Sequence, residues 1–169
     1  QNARDAIAAR QVLQSDYVGS VTVRVKSCGH YELEVEDDGL GMSERVLTSV
    51  LLDFGSSFWS TELVRSEFPG LRASKYKPVG RFGIGFYSAF IVADKVTVRT
   101  RAAGTDAAEA IEWVSEGEGE FTIAEINKPT RGTEIVLHLR EDEKEFADAW
   151  RLRSIISKYS DHISIPVQM

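Results

Sequence analysis

Apolar residues at Ala3, Ala6, Ile7, Val12 and Leu13 recur at helical spacing, so residues 1 to about 14 predict a helix. The period then changes. Val21-Thr22-Val23-Arg24-Val25 and Tyr31-Glu32-Leu33-Glu34-Val35 alternate as strands do, and Cys28-Gly29-His30 between them predicts an antiparallel hairpin. Ser43 suits the cap of a short helix carrying Val46, Leu47, Val50 and Leu51. From about Asp53 to Pro78 no period persists, and Gly55-Ser56-Ser57, Phe68-Pro69-Gly70 and Lys77-Pro78 punctuate the stretch. A segment that long without pattern reads as a lid, a binding loop or a disordered stretch. Phe86 to Val92 predicts a buried helix. Strands are expected at Lys95–Thr100, Ala110–Val114, Glu120–Ala124 and Thr133–Leu139. Glu145 to Tyr159 predicts an amphipathic helix burying Phe146, Trp150, Ile155 and Ile156, and Ile163-Ser164-Ile165 closes the chain in extended form. Hairpin-like strands between an opening and a late helix predict an α+β two-layer sandwich, its mostly antiparallel mixed sheet covered by helices on one face.

Composition narrows the picture. With 169 residues, 43% of them hydrophobic, and no internal repeat, the chain fits one domain with a sizeable core. The net charge of −6 comes with scattered basic residues and no stripe of Lys and Arg, which gives no support to a nucleic-acid surface. A bound nucleotide is a different matter, since backbone amides and a metal neutralise phosphates without a basic surface. Cys28 is the only cysteine, which excludes an internal disulfide and a cysteine-based zinc cluster and fits a reducing, cytoplasmic setting. The longest apolar run, Gly83 to Ala93, is too short to span a bilayer. Gln1-Asn2-Ala3-Arg4-Asp5 reads as a segment that begins inside a helix, with further residues expected before it.

Three separated clusters carry candidate chemistry. Asn2 and Asp5, at i and i+3, project from one helix face; they are either a polar face or hard oxygen donors suited to Mg²⁺ and its water shell. Asp37-Asp38-Gly39-Leu40-Gly41-Met42 follows an apolar strand. It is either an Asp-Gly turn or a carboxylate placed to accept from a base amine, a charged hydrogen bond worth about 1.5–3 kcal/mol. Val79-Gly80-Arg81-Phe82-Gly83-Ile84-Gly85-Phe86 leads into an apolar helix, and its three glycines let backbone N–H groups converge on a phosphate. The irregular segment before it argues against a dinucleotide-binding unit, and a Walker Lys-Ser/Thr ending is absent.

An Asn-bearing helix, Asp-x-Gly-x-Gly-Met, a lid-length gap and Gly-x-Phe-Gly-x-Gly-Phe occur in the order seen in the GHKL ATPase superfamily. Within it, the run Gly80 to Val96, with Phe86-Tyr87-Ser88-Ala89-Phe90, closely resembles the heat shock protein 90 family, in its bacterial form. Trp113, Gly117 to Ile123, Arg131-Gly132-Thr133 and Lys158 to Val167 are similar to its later segments, so the resemblance covers nearly the whole chain. It implies a single nucleotide-binding domain over residues 1–169, with a lid at about 53–78 and middle and C-terminal domains outside this chain. It implies ATP or ADP with Mg²⁺ held by Asn2, and a pocket lined by Asp5. Asp37 would receive the adenine amine with support from Thr133. Gly41 and Met42 would pack at the base, and Gly80, Arg81, Phe82, Gly83, Ile84, Gly85 and Phe86 would wrap the phosphates. It implies a homodimeric chaperone acting on client proteins, with no nucleic-acid or membrane partner.

Two departures from the family bear on turnover. The family's general-base Glu lies one helical turn before the position of Asn2, hence before Gln1, so no catalytic residue is assigned within this chain. Ser56 stands where the family usually has a phosphate-contacting Lys, while Arg81 stands where it often has Gln and is a candidate to supply the charge. The rival readings are a histidine-kinase-type ATP-binding domain, a mismatch-repair or topoisomerase-type ATPase, and a nucleotide switch without hydrolysis. Trp150 is expected in the core. His138 and His162 have no evident catalytic partner, and Phe58-Trp59 is either a lid latch or a partner contact.

Overall fold

Strand alternation sorts the protein into two unlike faces. In the computed structural model, which describes residues 1–27, 29–52, 62–72, 78, 85–160 and 163–169, one sheet is formed by β1 (Val21–Ser27), β2 (Tyr31–Asp37), β3 (Ala93–Arg101), β4 (Ala110–Ser115), β5 (Phe121–Ile126), β6 (Gly132–Leu139) and β7 (Val167–Gln168). Their order is β5-β4-β3-β6-β2-β1-β7, antiparallel throughout except for the parallel β1–β7 pair. The helices are α1 (Asn2–Leu13), α2 (Glu44–Leu52), α3 (Glu62–Glu67), α4 (Pro69–Arg72), α5 (Ala89–Val92) and α6 (Ala149–Ser160). The predicted α+β sandwich is thus present.

On the helix-facing side, three apolar groups make one layer. Ile7 of α1 and Leu152 of α6 pack with Val21, Val23 and Ile165. Leu47 of α2 packs with Val96, Val98, Ile111 and Trp113. Ala9, Leu40, Val46, Phe68 and Leu71 form the third group. On the opposite face the intervening residues are charged and paired across strands: Arg99 bridges Glu112 (2.7 Å) and Glu134 (3.0 Å), and Arg24 meets Glu36 at 2.9 Å. Glu34 is only 3% exposed and is paired with Lys26, as a carboxylate so enclosed must be.

Four expectations are corrected. Trp150 is 76% exposed rather than core, and Leu152 is buried in its place. Residues Glu141–Ala147 form a 3-10 helix, and Asp148 Oδ1 accepts from Arg151 N (2.7 Å), so a new helix begins at Ala149. Leu152 and Ile156 turn toward the sheet, and Trp150, about 200° of helix rotation from Leu152, points away. Phe86 to Val92 is a 3-10 turn followed by a single α turn, with Ile91 65% exposed. The closing strand is Val167–Gln168, just beyond Ile163–Ile165. Finally, the 53–78 stretch is not patternless where it is described: α3 and α4 dock through Phe68 and Leu71, and Ser43 Oγ donates to Glu67 Oε1 at 2.6 Å. Pro69 opens α4, where its missing N–H costs nothing, so a residue that looked like a breaker starts a helix. Ser43 also caps α2 as expected, accepting from Val46 N at 3.3 Å. Cys28, Phe58, Trp59 and His162 lie outside the described residues.

After β2 the chain folds back so closely that Gly41, at φ +66°, has room for no side chain: an added Cβ would sit 1.8 Å from the Arg101 carbonyl oxygen. Gly41→Ala is expected to destabilise the fold by about 2–4 kcal/mol, combining left-handed strain with overpacking. Gly104 has a similar φ of +87° but open space around it, so Gly104→Ala is expected to cost only about 1–2 kcal/mol. Urea denaturation of both variants checks the difference, and equal losses would mean that the close approach at Gly41 is not what matters.

Candidate functional site

The helix-facing residues of the central strands fall into one row. Register places Val21 opposite Asp37, Asp37 opposite Thr133, Thr133 opposite Thr100, and Thr100 opposite Ile111. The row is apolar at its ends and polar in its middle. Asp37, Thr133 and Thr100 are 7%, 7% and 0% exposed, on the side of the sheet where the three apolar groups lie. Thr100 Oγ1 lies 3.0 Å from Thr133 Oγ1 and accepts from Met42 N at 2.9 Å. The two hydroxyls and the carboxylate therefore sit side by side on adjoining strands, with Met42 tied to the row by its own amide.

Asp37 is the unusual group. Burial pushes its carboxyl up from 3.8 to about 7, the nearby Asp38 charge adds to the rise, and hydrogen bonds from the Gly39 and Thr133 backbones and the Lys128 charge only partly oppose it. A carboxylate on the edge of ionisation, inside an apolar layer, is poised to gain strongly from an added hydrogen-bond donor. Its geometry is fixed by its neighbour. Asp38 Oδ1 accepts from Ser20 N (2.9 Å) and from the Tyr17 hydroxyl, while the Asp38 carbonyl accepts from Arg10 and again from Tyr17 (2.7 Å). Arg10 lies 3.6 Å over the Tyr17 ring, which ties α1, the loop after it and the end of β2 together. At Gly39 an added Cβ would meet the Ala6 backbone at 2.7 Å, so α1 lies directly against the Asp-x-Gly turn.

The sequence-predicted residues divide accordingly. Asp37, Thr133, Gly41 and Met42 are brought together around the row. Asp5 is fully buried one residue before Ala6 and is paired with Arg4 (2.8 Å), so it lines the interior rather than offering a free oxygen to a metal. Asn2 is exposed at the start of the same helix. Gly85 adopts an ordinary helical φ of −62° with nothing near an added Cβ, so neither its conformation nor its contacts demand glycine. Phe86 packs edge-on against Trp113 (5.7 Å between centroids) and anchors its segment against the core, and its carbonyl accepts from Ala89 N. Ser56, Gly80, Arg81, Phe82, Gly83 and Ile84 lie outside the described residues. Sequence reasoning missed Thr100, Asp38 and Tyr17. Thr100 carried a readable signal, as a polar residue at a core-facing position of an otherwise apolar strand.

Comparison with known proteins bears on this arrangement. Residues 1–145 match the family model described as histidine kinase-, DNA gyrase B-, and HSP90-like ATPase. The chain is 54% identical over 156 residues to a protein named Chaperone protein HtpG from Shewanella oneidensis, covering 90% of this chain and 24% of that protein. It is 52% identical over 153 residues to the protein of the same name from Colwellia psychrerythraea, covering 89% of this chain and 23% of that one. The chain thus spans about a quarter of the length of the curated relatives it matches. These likenesses favour the HSP90-type reading over the histidine-kinase and DNA-topology readings.

The raised pKa of Asp37 has a consequence for stability. The folded state holds a proton that the unfolded chain releases near pH 4, so the Asp37 contribution to stability falls as pH rises from about 4 to 7 and is level above that. Asp37→Asn does not titrate. In the nucleotide-free protein it is expected to be more stable than the parent by at least about 1 kcal/mol at pH 8, with the advantage largely gone by pH 4 to 5. Urea denaturation of both proteins at the two pH values checks this, and a pH-independent difference would show that Asp37 ionises freely in the fold.

Proposed function

Because the chain belongs to the family of histidine kinase-, DNA gyrase B- and HSP90-like ATPases, we propose that it binds ATP and ADP through the Asp37–Thr133–Thr100 row, as the nucleotide-binding part of a cytoplasmic chaperone. The observation that carries the reading is a nearly buried carboxylate at a strand end, backed by a hydroxyl pair and faced by glycine-lined backbone. The adenine exocyclic amine would donate to ionised Asp37, replacing the solvation that burial denies that charge. The Thr133 hydroxyl would serve a ring nitrogen directly or through water, and Gly41 and Met42 would flank the base. Gly80 to Phe86 would supply backbone amides to the phosphates, with Phe86 as the anchor.

Mg²⁺ fits the donors at the start of α1. Asp5 is already paired with Arg4, which leaves the exposed Asn2 amide oxygen as one hard donor. One protein oxygen beside nucleotide phosphates and water is how Mg²⁺ is commonly held. Bound there, the ion would neutralise phosphate charge. Residues from about 53 to 78 would close over the terminal phosphate and so separate ATP from ADP. Because Phe68 and Leu71 of that stretch are buried, closure would hinge around α3 and α4 or expel two apolar side chains at about 1.5–3 kcal/mol each. In the complete protein, closure would be coupled to hydrolysis, to clamping of a homodimer and to remodelling of client proteins.

Calorimetric titration of ATP and ADP, with Mg²⁺, into this domain tests the reading. The parent is expected to bind both, more tightly at pH 8 than at pH 6 because the ionised carboxylate is the better acceptor. Asp37→Asn should bind about 10- to 100-fold more weakly, with the pH dependence lost. Equal affinity in parent and variant would refute the adenine assignment. Arg81→Gln is expected to weaken ATP more than ADP, and unchanged ATP affinity would remove Arg81 from the phosphate site.

A further inference from the structure

On the sheet face away from the helices, two of the chain's three histidines converge on one carboxylate. His30 stands in the β1–β2 turn, Glu32 two residues later on β2, and His138 on β6 directly opposite Glu32 in the register. Glu32 Oε1 lies 2.8 Å from His30 Nε2 and 3.2 Å from His138 Nδ1, and one ligand atom from each residue falls within 4.8 Å of the others. Glu32 and His138 are 15% and 24% exposed in their side chains, while His30 is 66% exposed and covers them from the turn.

We propose that His30, Glu32 and His138 form a binding site for a divalent transition-metal ion of the zinc class, separate from the nucleotide site. Two imidazoles and a carboxylate are a ligand set that Zn²⁺ takes, with a fourth position left to water. Ligand arms of about 2.0–2.1 Å in a tetrahedron set neighbouring ligand atoms about 3.3 Å apart. The two spacings to Glu32, 2.8 and 3.2 Å, need to open by only a few tenths of an ångström, while the two imidazole nitrogens, within 4.8 Å of each other, would close on the ion through the exposed His30 ring. The other ring nitrogen of His138 is already engaged: Nε2 lies 3.2 Å from Thr97 Oγ1. Such a partner fixes the ring so that Nδ1 faces the ion, as the outer contacts of metal-bound histidines do.

The surroundings select the kind of ion. The three residues open on a cleft of about 930 Å³ that Asp94, Glu116 and Glu118 also line, which leaves room for the water ligand. Lys95 stands opposite His138 on β3, and Lys26 also acts on Glu32, although Glu34 engages it directly. These cations weigh against Mg²⁺ or Ca²⁺, which are held mainly by oxygen and charge. Zn²⁺ gains from bonds to imidazole nitrogen, which Mg²⁺ and Ca²⁺ seek far less. Parity keeps the two sites apart: Glu32 and Asp37 share β2 but point to opposite faces. A bound ion would clip the tip of the β1–β2 hairpin to β6.

Titration of Zn²⁺ alone into the nucleotide-free domain, followed by calorimetry and by the histidine ring resonances, tests the assignment. One ion is expected to bind, to shift the His30 and His138 rings together, and to raise the unfolding temperature. His138→Gln and Glu32→Gln should each weaken binding at least 10-fold, and Thr97→Val, which removes only the outer contact, should weaken it less. Retained ATP affinity shows that each variant has folded. Asp37→Asn, Cys28→Ser and His162→Gln should leave Zn²⁺ affinity unchanged, and excess Mg²⁺ should not compete. Zn²⁺ affinity untouched by His138→Gln, or lost on Cys28→Ser or His162→Gln alone, would overturn the site.

Discussion

A single buried carboxylate sets the terms for the rest of this fold. Asp37 is 7% exposed at the end of a central strand, and burial drives its carboxyl toward neutrality. Removing a carboxylate from water is costly unless hydrogen bonds replace the lost solvation. Within the described residues that replacement comes from backbone: Gly39 N donates at 3.0 Å and the Thr133 backbone contributes as well. Both donors depend on chain geometry that tolerates no side chain. Gly132, at φ +102°, brings its backbone so close that an added Cβ would sit 2.0 Å from the Asp37 carbonyl oxygen. The glycines around the site are thus consequences of solvating one acid from the main chain.

The opening helix follows from the same demand. The turn after Asp37 must be held against α1, and Asp38 does this through Tyr17, Arg10 and the Ser20 amide. Consecutive aspartates therefore do different work, one buried in the strand row and the other turned to the scaffold. Tyr17 shows how tight the second anchor is: burial, then the bond to Asp38, raises its hydroxyl far above the usual tyrosine range, so it remains a donor at any physiological pH. Stability is sacrificed at Asp37 and restored around it, which is how polar functional groups persist inside small domains.

The sequence exposed this arrangement unevenly. Alternation made the hairpin Val21 to Val35 and the strands at 95–100, 110–114 and 133–139 legible, because one face of each is apolar and the other charged. Asp37 and Gly41 stood out through the Asp-x-Gly-x-Gly-Met pattern, although spacing alone left open whether they form an ordinary turn or a binding carboxylate with its glycines. Trp150 misled because hydrophobicity does not say which side of a helix faces the sheet. That depends on where the helix begins, and Asp148 restarts it after a 3-10 segment. Pro69 misled in the opposite way, since a residue that ends one helix also begins another. Thr100 and Thr133 form a pair 33 positions apart, and their joint role appears only once β3 and β6 are in register.

The sheet supports two kinds of polar chemistry because its faces differ in what surrounds a charge. On the helix side Asp37 lies between Val21 and Thr133 in its row and is 7% exposed, so a single charge there is expensive and responds strongly to a hydrogen-bond donor. On the open side Glu32, Glu34 and Glu36 alternate with it along β2, and each meets a cation or an imidazole on a neighbouring strand. Pairing across strands lowers the cost of many charges without isolating any, which favours coordination by several side chains over response by one. A shift of one residue in the register of β2 would exchange the two environments, placing glutamates in the apolar layer and Asp37 among solvated ion pairs. The residues that fix that register, chiefly the antiparallel pairing with β6 and the Asp38 anchor, therefore decide the chemistry of both faces at once.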